Sequence, residues 1–457
     1  MQDSVEQTQK LENQLLSGPI ISSLVRLALP ITATAFVQMT YSLVDMFWIG
    51  RIGTEAVAAV GAGGMMLWFA EGLLLFSRVG GQVFTATNIG GGRLDSARRY
   101  AAAALELALL LASGFALLMI TLRSQMIGLF NFDNAHTILM GKQYLVITSI
   151  GVIFAFWGNT LSSLSIAAGD SKTPFIINSI GLVMNIVLDP VLIFTFDLGV
   201  PGAAFATAGS QLLVALGMSV TVLRCHTFYK LPFKRSDDRL AEYKQLLRFG
   251  TAPAIESMGF TVIAIILSRL VSNFGEVSFA VQRIGTQIEA VSWRTGDGFA
   301  NSIRAFVSQN YGARKFERAL KGQRMITRIM VSFGVINGIL LYLLADPLFS
   351  LFSYDSAVIA GGVSYLRILA WSQAFMCLEI ITAGSFNGFG ESAIPSSTTL
   401  FLTALRIPMA YLLTPYLGID GVWISITVSS ILKGIVLKLL YRNYCHRKIY
   451  PQMQALA

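Results

Sequence analysis

Two aspartates stand where a sequence rarely places them. Asp45 lies in LALPITATAFVQMTYSLVDMFWIG and Asp189 in INSIGLVMNIVLDPVLIF, each inside a long apolar run. An ionisable group at the depth of such a run costs a few kcal/mol or more, so it marks a functional site by default. Tyr41 precedes Asp45 by four residues and Asn185 precedes Asp189 by four, which puts each pair on one helical face. Pro190 follows Asp189 directly; it deprives the preceding turn of a backbone hydrogen bond and exposes a carbonyl. Thr207 sits in PGAAFATAGSQ, about two turns inside the start of the next apolar run. Asp45 comes five residues before Gly50, Asp189 ten before Gly199, and Thr207 six after Pro201. At about 1.5 Å per residue, these groups lie roughly 8–15 Å below one boundary and can share a layer. Two carboxylates with amide, hydroxyl and phenol oxygens suit a hard monovalent cation such as Na+, placed at Asp45, Asn185, Asp189 and Thr207. The same carboxylates, close together and poorly solvated, are equally suited to carry a proton. Each aspartate alone has a plainer reading, as a helix-end residue reaching for water (Asp45) or as a cap at a proline kink (Asp189). Matching depth in one half of the chain favours the shared site.

The second half carries its own candidates. Glu256 follows Pro253 by three residues; Gln282, Arg283, Glu289, Arg294 and Asp297 share one run, and Glu379 and Arg406 lie in two later ones. Arg283 with Glu289 or Glu256, and Arg294 with Asp297, would make ion pairs that hold helices together. Alternatively Glu256, Gln282 and Arg283 would meet a substrate, with Phe154 and Trp157 as aromatic liners of the same cavity. Aromatic residues in membrane helices more often pack or face lipid. A nucleotide-binding loop, metal-ligand spacing and a nucleophile paired with a base are all missing from the sequence. His136, His226 and His446 fall in loops or tails, and Cys225, Cys377 and Cys445 are scattered. The sequence therefore reads as a transporter without a cofactor, driven by an ion gradient, and not as an enzyme.

The elements that must hold these residues are membrane helices. Of 457 residues, 54% are hydrophobic and 13% charged, half the charge a soluble surface uses, and the mean hydropathy is +0.63. A bilayer core takes about 20 apolar residues per helix. Twelve such spans are expected at 24–49, 56–87, 100–122, 143–168, 174–196, 202–223, 249–272, 277–309, 325–345, 360–388, 394–416 and 421–441. The net charge of +9 gathers in alternate loops: Arg93, Arg98 and Arg99; Lys172; Lys230 to Arg248; Arg314 to Arg324; and Arg442 to Lys448. This is a positive-inside signal, not a nucleic-acid footprint, and it places both termini in the cytoplasm of a prokaryotic inner membrane. The polar, partly acidic start (Asp3, Glu6, Glu12) does not read as a cleaved signal peptide.

The two halves repeat. Gly53, Ala58, Gly63, Phe84, Asn88 and Gly90 recur 222 positions later as Gly275, Ala280, Gly285, Phe306, Asn310 and Gly312. Gly169-Asp170-Ser171 and Pro174 return as Gly390-Glu391-Ser392 and Pro395, and Tyr144 as Tyr365, at a shift of 221; Pro30 meets Pro253 at 223. A six-helix unit with an even number of crossings gives parallel repeats, an arrangement shared by transporters that alternate access by rocking. The expected organisation is an all-α polytopic protein of two pseudo-symmetric six-helix lobes, 1–223 and 249–457, joined by a cytoplasmic linker at 224–248. Since duplication already supplies both lobes, a monomer suffices.

LLSGPI followed by LALP, VDMFWIGRIGTEAVAAVG, NIGGGRLDSARR with its echo SQNYGARKFERA, AAGDSKTP with NGFGESAIP, and NIVLDPVLIF with LGVPGAAFATAGSQ resemble the multidrug and toxic compound extrusion (MATE) family. The likeness covers nearly the whole chain. It implies two six-helix lobes around a central cavity that exports organic, often cationic and amphiphilic, compounds against H+ or Na+. In the DinF-like and archaeal branch the cation site lies in the N-terminal lobe, and its residues fall on Tyr41, Asp45, Asn185, Asp189 and Thr207. Pro30 matches the proline at which the first helix is proposed to bend. In NorM-like members an acidic pair on helices seven and ten matters; Glu256 matches its first member, but the second position is apolar here, near Met376–Cys377, with Glu379 off register. That departure favours the N-terminal site. The alternative within the wider superfamily is a flippase for lipid-linked precursors, against which the mixed-sign cavity candidates argue.

Overall fold

The structure, a computed structural model, describes residues 15–130, 132, 134–224 and 239–455; residues 225–238 of the expected linker, with Cys225 and His226, lie outside them. Among the described residues every regular element is helical. The first half runs α1 (Ile20–Ile52), α2 (Thr54–Gly90), α3 (Leu94–Thr121), α4 (Ala135–Ala167), α5 (Lys172–Pro190) and α6 (Gly199–Arg224). The second runs α7 (Arg239–Ser272), α8 (Glu276–Gly312), α9 (Phe316–Leu343), α10a (Ser356–Ala370), α10b (Gln373–Gly388), α11a (Ala393–Ala404), α11b (Arg406–Leu417) and α12 (Asp420–Tyr444). Counting the two broken helices once each gives twelve spans. Ten pass on length and hydropathy alone, and α10a with α10b makes an eleventh. The twelfth, α8, is 37 residues long but carries Arg283, Glu289, Arg294, Asp297 and Arg304, which lower its hydropathy. Outward-facing side chains such as Leu110, Leu117, Ile180 and Val183 are at least half exposed, a surface that lipid accepts and water would not.

Three of the spans are interrupted, each for a local reason. In α5, Pro190 has no N–H for the Ile186 carbonyl. The chain answers with a π turn over Val191–Thr195, in which Phe196 N–H donates to the Val191 carbonyl at 3.0 Å. In α11, Pro408 likewise withholds an N–H from Ala404, the residue at which α11a ends. The span expected as continuous over 360–388 bends by 52° between α10a and α10b without proline or glycine at the bend. There the Leu369 carbonyl accepts the Ser372 backbone N–H at 3.0 Å, in a tightened last turn, together with the Ser372 hydroxyl at 2.8 Å and the Gln373 side-chain amide at 3.3 Å.

The chain forms two compact units, one containing Arg26–Ala254 and the other Ile255–Ala457 with Pro19–Val25. In the first, α4 is the central helix and packs on α2, α3 and α6; in the second, α10b packs on α8, α9 and α12. The repeated glycines and tyrosines explain each other. A Cβ at Gly63 would lie 2.6 Å from the Tyr144 ring, and one at Gly285 would run into the ring of Tyr365. In both halves a missing side chain on the second helix makes room for a buried tyrosine on the fourth.

The beginning of α7 belongs to the first unit and is tied down by charge. Arg239 donates to Glu106 at 2.9 Å and to Glu242 at 3.0 Å, and the Tyr243 hydroxyl donates to Glu106 at 2.5 Å. About two turns beyond Tyr243, Gly250 lies where a Cβ would overlap the Phe76 backbone, so α7 and α2 touch main chain to main chain.

Candidate functional site

In the first unit, α1, α5 and α6 each bring polar atoms into one buried layer. Asn185 and Asp189 are fully buried, and the Asn185 amide donates to Asp189 Oδ1 at 3.2 Å along the face their spacing dictates. Asp45 is half-buried on α1, close enough to Asp189 for the two charges to interact. Tyr41, one turn earlier, reaches α6. Ser210 Oγ donates to the Thr207 carbonyl at 2.8 Å, which leaves the Tyr41 hydroxyl as donor in its 2.8 Å contact with Ser210. The Thr207 carbonyl is 3.5 Å from that hydroxyl. Tyr144 of α4, only 4% exposed, closes the layer within reach of the charges of Asp45 and Asp189.

Several oxygens of the layer lack partners. Asp45 Oδ1, Asn185 Oδ1, Asp189 Oδ2 and Thr207 Oγ1 are all buried without a hydrogen-bond partner. Buried oxygens are ordinarily satisfied, and an unsatisfied one costs about 1–3 kcal/mol. Four together, two of them on carboxylates, make an acceptor-rich nest for a positively charged species. A bare cation with oxygen ligands and a proton on one carboxylate both relieve it. The π turn after Asp189 loosens the helical ladder next to this nest, a place such turns often occupy.

Pro30 sits inside α1, where the Thr34 hydroxyl donates to the Pro30 carbonyl at 2.9 Å. Phe154 is half-buried on α4, and the Trp157 indole donates to Ser219 on α6 at 2.9 Å, so its polar edge is engaged in packing.

The second unit arranges its charges differently from the pairs weighed above. Arg283 is exposed and forms no ion pair among the described residues. Glu289 accepts instead from the Tyr365 hydroxyl at 3.0 Å and the Gln373 amide at 3.1 Å. Arg294 lies over the Trp293 ring at 4.4 Å. Gln282 is buried with Oε1 unpartnered. Glu256 is half-buried on α7 and feels the charges of Glu379 and Lys433. Glu379 is paired with Lys433 of α12 at 3.0 Å, and both are more than nine-tenths buried. Arg406 is held by Ser429 at 2.6 Å and Ser430 at 3.0 Å.

Ser210, Tyr144 and Lys433 were not among the residues singled out as site candidates. Ser210 is three residues beyond Thr207, one turn on the same face. Tyr144 was visible only as a repeated residue. Lys433 lies in ISITVSSILKGIVLK, an intramembrane lysine whose depth is itself the signal.

Comparison with known proteins fits this architecture. The MatE family model matches the chain twice, over residues 30–191 and 253–412, so each match begins at the proline inside the first helix of one half. The chain belongs to the MatE family of membrane transporters, which are not enzymes. It is 27% identical over 431 residues to a probable multidrug resistance protein NorM of Thermotoga maritima, covering 92% of each chain. It is 26% identical over 450 residues to an FAD transporter of Shewanella oneidensis, covering 94% of this chain and 96% of that one. A multidrug resistance MATE family transporter solved in an outward-facing conformation is 25% identical and superposes with a TM-score of 0.86 over 94% of this chain and 96% of that one.

Proposed function

We propose that this chain is a multidrug efflux antiporter that exports organic, often cationic and amphiphilic compounds by alternating access, in exchange for H+ or Na+ bound at Asp45 and Asp189. The observation that carries this reading is the set of four buried, unpartnered oxygens contributed by Asp45, Asn185, Asp189 and Thr207. A cation arriving there satisfies several acceptors at once and draws α1, α5 and α6 together. It drives transport only by binding one conformation more tightly than the other. Tyr41, one turn before Asp45, links α1 to the Thr207 carbonyl of α6 by two hydrogen bonds through Ser210. Pro30 gives α1 a point at which to bend. The second unit is a weaker coupling candidate because Glu379 already has a tethered cation, the Lys433 ammonium. The reading places the protein in a prokaryotic inner membrane with both termini cytoplasmic, on the strength of its basic loops, and as a monomer, since duplication already supplies both lobes.

The test is efflux of a fluorescent cationic dye from preloaded, de-energised vesicles holding the purified protein, with acid and Na+ pulses given separately. One pulse should trigger efflux, and Asp45→Asn should abolish the response at unchanged protein amount. A normal response from Asp45→Asn would refute the coupling site. The likeness to an FAD transporter puts a flavin nucleotide in the same substrate panel. Efflux of the flavin alone would keep the transporter and replace its substrate class.

A further inference from the structure

The second unit has a groove of about 630 Å³, open along one side, between α9, α10a and α12. Its lining is mostly apolar (Val363, Ile368 and Ile424 among others) but includes Arg367, Tyr342 and Trp371. Arg367 is exposed, yet it lies on a helix that crosses the membrane. Its guanidinium sits 5.4 Å from the centre of the Tyr342 ring, and Tyr342 is the penultimate residue of α9. The arginine therefore extends its apolar stem along the groove and holds its charge at the membrane face where α9 ends. Trp371 follows Arg367 by four residues, on the same side of the chain and one turn deeper, and is 70% exposed.

Arg367 forms none of the ion pairs found among the described residues. Among the described residues no carboxylate lies within ion-pair distance of it. Of the polar groups around the groove, Ser364 donates to Asp420 at 2.9 Å and the Thr427 hydroxyl to the Ile368 carbonyl at 3.2 Å, so neither hydroxyl is turned to the guanidinium. The fold does not require the charge either. At the 221-residue repeat Arg367 corresponds to Val146 and Trp371 to Ile150, ordinary residues for a membrane helix. An arginine added to an apolar, lipid-accessible groove needs an anion from its surroundings, and a guanidinium is the side chain that grips phosphate best.

We propose that this groove is a binding site for an anionic phospholipid. The phosphate meets Arg367 beside Tyr342, and an acyl chain runs inward over Trp371. Charge complementarity selects the occupant: a basic pocket between membrane helices favours an anionic head group. The site is independent of the cation layer in the first unit, so it can fail without touching the coupling assignment.

The test uses the full chain in vesicles of phosphatidylcholine containing small amounts of acyl-brominated phosphatidylglycerol or identically brominated phosphatidylcholine. Bromine quenches nearby indoles. The chain has six tryptophans, so the signal lost in Trp371→Phe isolates the one in the groove. Brominated phosphatidylglycerol should occupy the groove about fivefold more readily than brominated phosphatidylcholine, the ratio that ~1 kcal/mol per surface arginine gives. Arg367→Gln should reduce that ratio to about one, and Arg367→Lys should keep most of it. Equal quenching of Trp371 by both lipids, or an unchanged preference in Arg367→Gln, would overturn the proposal. Loss of the preference on adding millimolar glycerol 3-phosphate would also overturn it, because the groove would then belong to a soluble phosphate.

Discussion

Replacing Lys433 by methionine is the most demanding single perturbation of this fold. Lys433 and Glu379 are 7% and 6% exposed and meet at 3.0 Å, and Glu379 Oε2 has no hydrogen bond of its own. Without the ammonium, the buried carboxyl group loses its only ion-pair partner among the described residues. Arg406 gives limited relief, since its guanidinium is held by Ser429 and Ser430. Breaking a buried pair from one side typically costs about 3–5 kcal/mol, whereas removing both charges is often close to neutral. For a unit of about 200 residues, one kcal/mol moves the midpoint by about 2–4 °C, so Lys433→Met should lower it by roughly 6–20 °C. Glu379→Gln should be similarly damaging alone, and the double variant should recover most of the loss. The readout is thermal unfolding of the purified full-length protein in detergent, with all three variants side by side. If the double variant is as unstable as either single one, or Lys433→Met unfolds within about 1 kcal/mol of the parent, the pair does not hold the second unit and the reasoning is wrong.

Three further outcomes follow from the geometry. Gly63→Ala places a Cβ 2.6 Å from the Tyr144 ring and should cost about 1–3 kcal/mol in thermal unfolding, an effect that Tyr144→Leu in the same chain should largely remove. Glu106→Gln weakens the contacts to Arg239 and Tyr243, so hydrogen exchange at the amides of 243–248 should accelerate by about tenfold while the rest of α7 stays protected. Tyr41→Phe deletes the 2.8 Å contact to Ser210 and should raise the cation concentration for half-maximal efflux by about three- to tenfold without removing transport. An unchanged cation dependence would take Tyr41 out of the coupling layer.

Hydropathy made most of the helices legible, because a bilayer demands long apolar runs whatever the protein does. It also located Asp45, Asn185 and Asp189, since polar residues stand out sharply against such runs. Even α8 was visible from its matched position in the repeat, although its own charges hide it from hydropathy. The break between α10a and α10b was not legible. It rests on Ser372 and Gln373 capturing one carbonyl, and the same residue types sit in unbroken helices elsewhere. Ion-pair partners were misjudged for a related reason. Arg283 was weighed as a partner of Glu289 or Glu256, but the choice lies with other helices: Tyr365 and Gln373 donate to Glu289. Lys433 was legible by its depth, in the middle of the span expected at 421–441, but its partner Glu379 on another helix was not.

The π turn over Val191–Thr195 has a consequence for how this gene can change. An α-helix turns about 100° per residue, so losing one codon inside it swings every later side chain onto a different face. A π turn holds one residue more than the regular ladder needs. Deleting one codon there should close an ordinary turn and leave Asp189 on its face and Gly199 on its own. The stretch beside Asp189 is thus a place where the reading frame of the helix, though not that of the gene, can be reset. It marks where an inserted residue could have entered an ancestral helix without disturbing either end.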